Sequence, residues 1–152
     1  MRRNDSSDST LSGKVYGHGF PAIIDLPCFS DSRGSLAVAE GNGALPFSVK
    51  RVFWIYGVPS GRGRGGHAHR RQWQLVTAVA GALTVILDNG DTTRPYRLDS
   101  PGKALLIPPG IWNILENFSP GTVCLVLASG EYDESEYIRE YPDFITFING
   151  HT

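Results

Sequence analysis

Cysteine is scarce in this chain: Cys28 and Cys124 stand far apart, each among apolar neighbours. Two such thiols offer neither metal-ligand spacing nor the framework of a small secreted domain, and they read as buried, reduced residues. A dominant charge is missing too. With 14 basic and 15 acidic residues the net charge is −1, too weak a field to draw in nucleic acid or an acidic membrane, so any anion must be held by a local cluster. No apolar run approaches the length of a membrane span, and no apolar segment follows the basic residues at the start of the chain. The expectation is a cytoplasmic protein with neither nucleic acid nor membrane as partner. Strand and helix patterns do not alternate as in α/β units, and no solenoid repeat recurs.

Glycine and proline are plentiful instead, at 18 and 10 of 152 residues, with 41% hydrophobic and 11% aromatic content. That is enough to bury one core, and it suits many short strands joined by tight turns. Residues 1–14 are rich in Ser and Asp and read as a disordered polar tail, leaving residues 15–149 as a single domain. Strands are expected over Phe20 to Leu26, Leu36 to Glu40, Lys50 to Val58, Gln74 to Ala80, Ala82 to Leu87, Thr93 to Leu98, Ala104 to Ile107 and Thr122 to Leu127. Asp88-Asn89-Gly90-Asp91 is the clearest hairpin turn. A short C-terminal helix is expected from about Glu134 to Tyr141, with Asp133 and Glu136 as a capping box and Pro142 as its stop. This all-β pattern argues for an antiparallel sandwich or small barrel.

Two stretches carry the chemistry. In Gly61 to Gly81, His67 and His69 lie two apart, so an extended segment points both imidazoles to one face. Single histidines are usually structural, but burying two unpaired rings would cost desolvation, which favours a functional pair. The second stretch, Gly102 to Asn117, repeats a pattern of glycine, apolar run, Pro-Pro-Gly and a polar residue. Together they read as two hairpins facing one pocket.

The spacing Gly61, His67-Ala68-His69, Gln74, Gly81 resembles the first motif of the cupins, and Gly102, Pro108-Pro109-Gly110, Asn113, Asn117 resembles the second. In this resemblance Gln74 stands where a metal-binding Glu is usual, and Asn113 where a His is usual. Amides are poor ligands for transition metals, so no metal and no cofactor is expected, and the imidazoles are left to titrate near neutral pH as acid and base.

Within the cupins the chain resembles the sugar-nucleotide 3,4-ketoisomerases. The matching pieces run in order from Arg33-Gly34-Ser35-Leu36 through Pro46 to Val52, Arg64 to Arg70, Gln74, Leu87 to Gly90, Trp112, Phe118-Ser119, Val126 to Ser129, and Tyr132 to Arg139. The resemblance implies a homodimer of jelly-roll, β-barrel subunits that moves the keto group of a dTDP-4-keto-6-deoxyhexose from C4 to C3. It points to His67 and His69 as the acid–base pair and to Arg64 as a stabiliser of enolate or diphosphate. Tyr56 is a further proton-donor candidate. Arg33 and Arg51 are candidates for the diphosphate, Trp54 for stacking, and Gln74 and Asn113 for the sugar hydroxyls.

Set against these are plainer readings: solvated arginines, a core aromatic and satisfied amides. The chain also departs from the ketoisomerase pattern at Phe53 and Trp54, where tyrosines are usual, and at Asn113. A proton-bearing hydroxyl is thereby lost, with Tyr16, Tyr96, Tyr132 or water as substitutes. The competing functions are a non-catalytic sugar-nucleotide binding module, a metal-dependent oxygenase and a 3,5-epimerase on the same substrate class.

Overall fold

The structure is a computed structural model describing residues 20–41 and 45–150. The tail expected over residues 1–14, and Tyr16 with it, lies outside the described residues. In chain order the first strands are β1 (Ile23–Asp25), β2 (Cys28–Asp31), β3 (Gly34–Ala37), β4 (Arg51–Tyr56), β5 (Arg64–His69) and β6 (Gln74–Ala80). They are followed by β7 (Leu83–Asp88), β8 (Thr93–Leu98), β9 (Lys103–Ile107), β10 (Trp112–Glu116), β11 (Val123–Ala128), β12 (Tyr137–Ile138) and helix α1 (Tyr141–Asn149).

One five-stranded sheet has the order β1-β9-β6-β11-β4 and a second β12-β5-β10-β7-β8, while β2 and β3 form a separate hairpin. The pairings are antiparallel. β1 lies at the edge of the first sheet and pairs with β9 of its own chain, Ile23 opposite Leu105.

The period-two alternation of strands explains the interior. Along β7, Leu83, Val85 and Leu87 are fully buried and meet Val76 and Ala78 of β6, Leu105 and Ile107 of β9, Leu115 of β10, and Cys124 and Val126 of β11. Burial pushes the Cys124 thiol up to about 12. Toward one end of the space between the sheets the inward positions turn polar. β4 runs inward from Ile55 and Phe53 to Arg51, β6 from Ala78 and Val76 to Gln74, and β10 from Leu115 to Asn113.

On the far side of the second sheet α1 lays Phe144 over Ala68, Trp112 and Ile138. This apolar backing fixes the parity of β5: Ala68 faces the helix, so His67 and His69 face the space between the sheets.

The C-terminal elements differ from the sequence expectation. Asp133 does cap a turn, its side chain accepting from the Ser135 N–H, but that turn is a 3-10 helix of three residues, Glu134–Glu136. Helix α1 begins at Tyr141, with Pro142 in its first turn. A proline in the first turn forfeits an N–H that has no helical partner anyway, so Pro142 opens the helix instead of ending it. Glu136 does not reach back to complete a capping box. Its carboxylate turns inward and accepts from the backbone N–H groups of Arg71 and Gln72.

Strands β2, β5 and β10 were not anticipated as strands from propensity. β5 carries Gly65-Gly66, both at positive φ, and is held extended by its neighbours β10 and β12. Gly65 is required there, because a Cβ would lie 3.1 Å from the Asn113 carbonyl and 3.2 Å from its side-chain oxygen.

Candidate active site

β5 delivers His67 and His69 to the polar end of the interior with ring centroids 5.1 Å apart and planes at 88°. His69 is 3% exposed. The side-chain amide of Gln74 donates to its Nε2 (3.0 Å), which leaves the ring proton on Nδ1, a buried atom without a partner. An orphaned buried polar atom is rare and marks a place where a ligand group or water is due. No hydrogen bond among the described residues ties the His67 ring, which is only partly buried.

The imidazoles do not titrate near neutral pH as the sequence suggested. Burial, helped by the Arg139 guanidinium and opposed by Glu134, pushes His67 down to about 4. Burial, with His67, Arg51 and Arg139 adding, pushes His69 to about 3. Desolvation disfavours the charged ring more than one distant carboxylate favours it. Both rings are therefore neutral at pH 7, and a neutral imidazole is a base.

Gln74 and Asn113 join the same cluster but are engaged by the protein. Gln74 is committed to His69, and the Asn113 amide donates to the His67 carbonyl across β10 and β5 (3.2 Å). Their evident task is to hold the two histidines. As a donor set for a metal the site is poor: among the described residues no three His, Cys, Asp or Glu side chains come together, and one of the two amides is spent on an imidazole.

Arg51, at the inward end of β4, crosses to the second sheet, donating to the Gln72 side-chain oxygen (3.2 Å) and to the Tyr137 hydroxyl (3.4 Å). Its Nε is buried without a partner. Arg64 opens β5 in an exposed position. Three other candidates lie elsewhere. Trp54 and Tyr56 share the outward face of β4, 59% and 70% exposed. Arg33 stands at the turn of the β2–β3 hairpin, paired with Asp31 at 2.6 Å. The chain's own fold does not bring Tyr56, Trp54 or Arg33 to the histidines. Two of the hydroxyls named as substitutes are also occupied elsewhere: Tyr96 donates to the Pro21 carbonyl and Tyr132 to Glu134.

Sequence reasoning missed the residue packed against both histidines. The Tyr137 ring lies 5.0 Å from that of His67 and 4.6 Å from that of His69, with Arg139 over its face at 4.5 Å. Arg139 is held in turn by a two-pronged pair with Glu134 (2.6 and 3.0 Å), which pulls Glu134 down to about 2. Next to this network a cavity of about 780 Å3 opens, lined by Lys50, Gln72, Gly130, Glu131, Tyr132 and Asp133. Two of its lining residues, Gln72 bonded to Arg51 and Tyr132 tilted against Tyr137 with ring centroids 5.9 Å apart, connect it to the histidine cluster.

Such a fold, two antiparallel sheets with a paired imidazole pocket at one end, defines a cupin-like β-protein with an incomplete set of metal ligands. The chain belongs to the FdtA family, described as WxcM-like, C-terminal, whose profile matches residues 21–149. It is 40% identical over 126 residues to a TDP-4-oxo-6-deoxy-alpha-D-glucose-3,4-oxoisomerase of Aneurinibacillus thermoaerophilus, covering 83% of this chain and 91% of that one. Among solved structures, QdtA, a sugar 3,4-ketoisomerase from Thermoanaerobacterium thermosaccharolyticum in complex with TDP, superposes with a TM-score of 0.83 at 34% identity, covering 86% and 95% of the two chains. A dTDP-4-dehydrorhamnose 3,5-epimerase of Bacillus anthracis shares the fold at greater distance, with a TM-score of 0.66 and 19% identity over 76% of this chain and 75% of that one. No helix among the described residues is long and apolar enough to cross a membrane.

Proposed function

We propose that this protein is a cofactor-independent isomerase of the cytoplasm that moves the keto group of a dTDP-4-keto-6-deoxyhexose from C4 to C3. The observation that carries the reading is the pair of neutral imidazoles, one buried and one partly buried, held by two amides in a chain whose relatives are 3,4-ketoisomerases. The proton at C3 is acidified by the adjacent ketone, and its removal gives an enediolate. Proton return at C4 then leaves the ketone at C3. A base at this position must be neutral, unprotonated and reachable by the sugar.

His67 fits that role. Its ring is untied, whereas His69 has Nε2 bonded to Gln74 and its proton on Nδ1. His69 then acts as a wall and dipole behind the base. When His67 takes up the C3 proton, Glu134 is the negative group that favours its cationic form. Arg51 and Arg64 remain the candidates for grip on the diphosphate and the enolate oxygen.

Incubation with dTDP-4-keto-6-deoxyglucose in heavy water tests the reading. The expected NMR result is solvent deuterium at C4 and accumulation of the 3-keto sugar. Deuterium at C5 without keto migration would identify an epimerase, and tight dTDP binding with no exchange would identify a binding module.

The same proposal includes a homodimer. Val52, Trp54 and Tyr56 form an exposed stripe on the outward face of β4, opposite Leu127, Leu125 and Val123 of β11. On the separate hairpin Phe29 and Leu36 are cross-strand neighbours and both exposed. A two-stranded hairpin of that kind is marginal alone, and a second copy is the simplest cover for so much apolar surface. Sedimentation velocity at micromolar concentration is expected to give a dimer, and Trp54→Lys a monomer with its far-UV circular dichroism unchanged. A monomeric wild-type protein would refute this assembly.

A further inference from the structure

We infer that Gln72 is a positioning residue, one that holds the Arg51 guanidinium for the oxygen that gains charge at C4 as the C3 proton leaves, and that residue 130 is glycine to leave Gln72 that place. This deepens, and rests on, the ketoisomerase reading above.

The Gln72 amide has a single possible orientation. Arg51 offers only donors and the Glu131 carbonyl only accepts, so Oε1 faces Arg51 (3.2 Å) and Nε2 faces Glu131 (2.9 Å). Its backbone is fixed as well. The Gln72 N–H donates to Glu136, and the next residue is zipped to Ser129 in both directions: the Trp73 N–H donates to Ser129 Oγ (2.8 Å), the Ser129 N–H to the Trp73 carbonyl (3.0 Å). Gln72 thus ties the first residue of β4 to the connection that follows β11.

Arg51 needs such a tie. A long side chain keeps many rotamers unless something directional selects one, and the rings of Phe53 and Tyr132, 5.3 and 5.7 Å from its guanidinium carbon, supply attraction without direction. Direction comes from Gln72 and, at 3.4 Å, from the Tyr137 hydroxyl. Both are neutral. The ion pairs among the described residues are Arg33–Asp31, Lys103–Asp25 and Arg139–Glu134, so Arg51 is steered without being neutralised. Its Nε is still without a partner. Arg139 is cancelled by Glu134 and Arg64 is exposed, which leaves Arg51 as the inward cation for an enolate oxygen.

Gly130 is where this arrangement can be tested without touching it. A Cβ there would lie 2.4 Å from Gln72 Nε2, 2.7 Å from its Cδ and 3.0 Å from its Cγ. Gly130 is not among the glycines at positive φ, so its backbone admits alanine, and what alanine displaces is the flexible amide. The missing side chain serves the position of Gln72, not the local fold.

Gln72→Ala and Gly130→Ala are each expected to lower kcat on dTDP-4-keto-6-deoxyglucose about tenfold, because a displaced donor no longer meets the developing charge. KM and dTDP affinity should stay within about twofold, since dTDP carries no keto oxygen. The double variant should be within about twofold of Gln72→Ala, because Gly130→Ala acts through the amide already removed. Losses that multiply to about 100-fold would mean that the two positions act separately, and would overturn the inference. Wild-type kcat in Gln72→Ala would do the same, as would lost dTDP affinity with kcat kept, which would make Arg51 a grip on the diphosphate. Gly130→Ala should melt within about 2 °C of wild type, so it remains a test if Gln72→Ala folds poorly. Wild-type protein without keto migration would instead sink the ketoisomerase reading, and the two failures are told apart.

Discussion

Replacing His67 by Asn should abolish keto migration, with kcat down by about 10³-fold or more while dTDP affinity stays within a few-fold. Asn preserves a polar side chain of similar reach and removes the ring whose two nitrogens are both untied among the described residues. The companion variant His69→Asn is expected to lose less, because that ring is tied to Gln74 and serves the geometry of its neighbour. The pH profile makes the same point independently. A base must be unprotonated to act, and burial holds His67 down at about 4. The acid limb of kcat/KM should therefore fall near pH 4, leaving a plateau across the range where an ordinary imidazole would be half charged.

Stability carries a matching signature. In the unfolded chain the ring returns to its ordinary value of 6.5. Between about pH 4 and 6.5 the unfolded state thus binds more protons than the folded one. The stabilisation is fully present above 6.5 and is lost as the pH falls toward 4. Melting temperature should decline over that window in the wild type, and less steeply in His67→Asn. An acid limb near 6.5, or an Asn variant as active as wild type, would remove His67 from the mechanism.

The histidine pair was legible because an i, i+2 spacing puts both rings on one face of any strand, whatever surrounds it. The partners of those rings were less so. Gln74 and Asn113 could be placed near the pocket by spacing, but whether an amide faces a sugar or a neighbouring imidazole is decided across two sheets, which no local pattern encodes. Tyr137 was hidden by a plausible helix signature. Asp133 and Glu136 have capping-box spacing, and the burial of Glu136 against residues 71 and 72, which overrides it, is a contact made with the connection between β5 and β6. Arg51 shares parity with Phe53 and Ile55, so its inward direction was readable once that face was known to be the inner one. Alternation alone could not say which face that was, and it left Trp54 and Tyr56 as equal candidates.

The same Glu136 is the site of the second large effect, this time on stability. One carboxylate oxygen, Oε1, accepts both the Arg71 and the Gln72 N–H, the latter at 2.6 Å, and the residue is largely buried. Glu136→Ala leaves both donors without an acceptor where solvent reaches poorly. An unsatisfied buried donor costs about 1–3 kcal/mol, so a loss of about 2–4 kcal/mol is expected. For a chain of this size that lowers the melting temperature by roughly 5–12 °C. Glu136→Gln retains an oxygen in the same place and should lose well under half as much. The damage would not stop at stability. Gln72, whose backbone Glu136 secures, bonds with its side chain to Arg51 and to the Glu131 carbonyl, and Arg51 in turn reaches Tyr137. Loosening residues 71 and 72 therefore frees the guanidinium that faces the Tyr137 hydroxyl. At a temperature where the Ala variant is still fully folded, kcat should fall about tenfold with the acid limb unmoved, because His67 is held in place by the pairing of β5 with β10. A melting temperature within about 2 °C of wild type would show that water or another group satisfies those donors, and that the inward turn of Glu136 is not what holds this corner of the pocket.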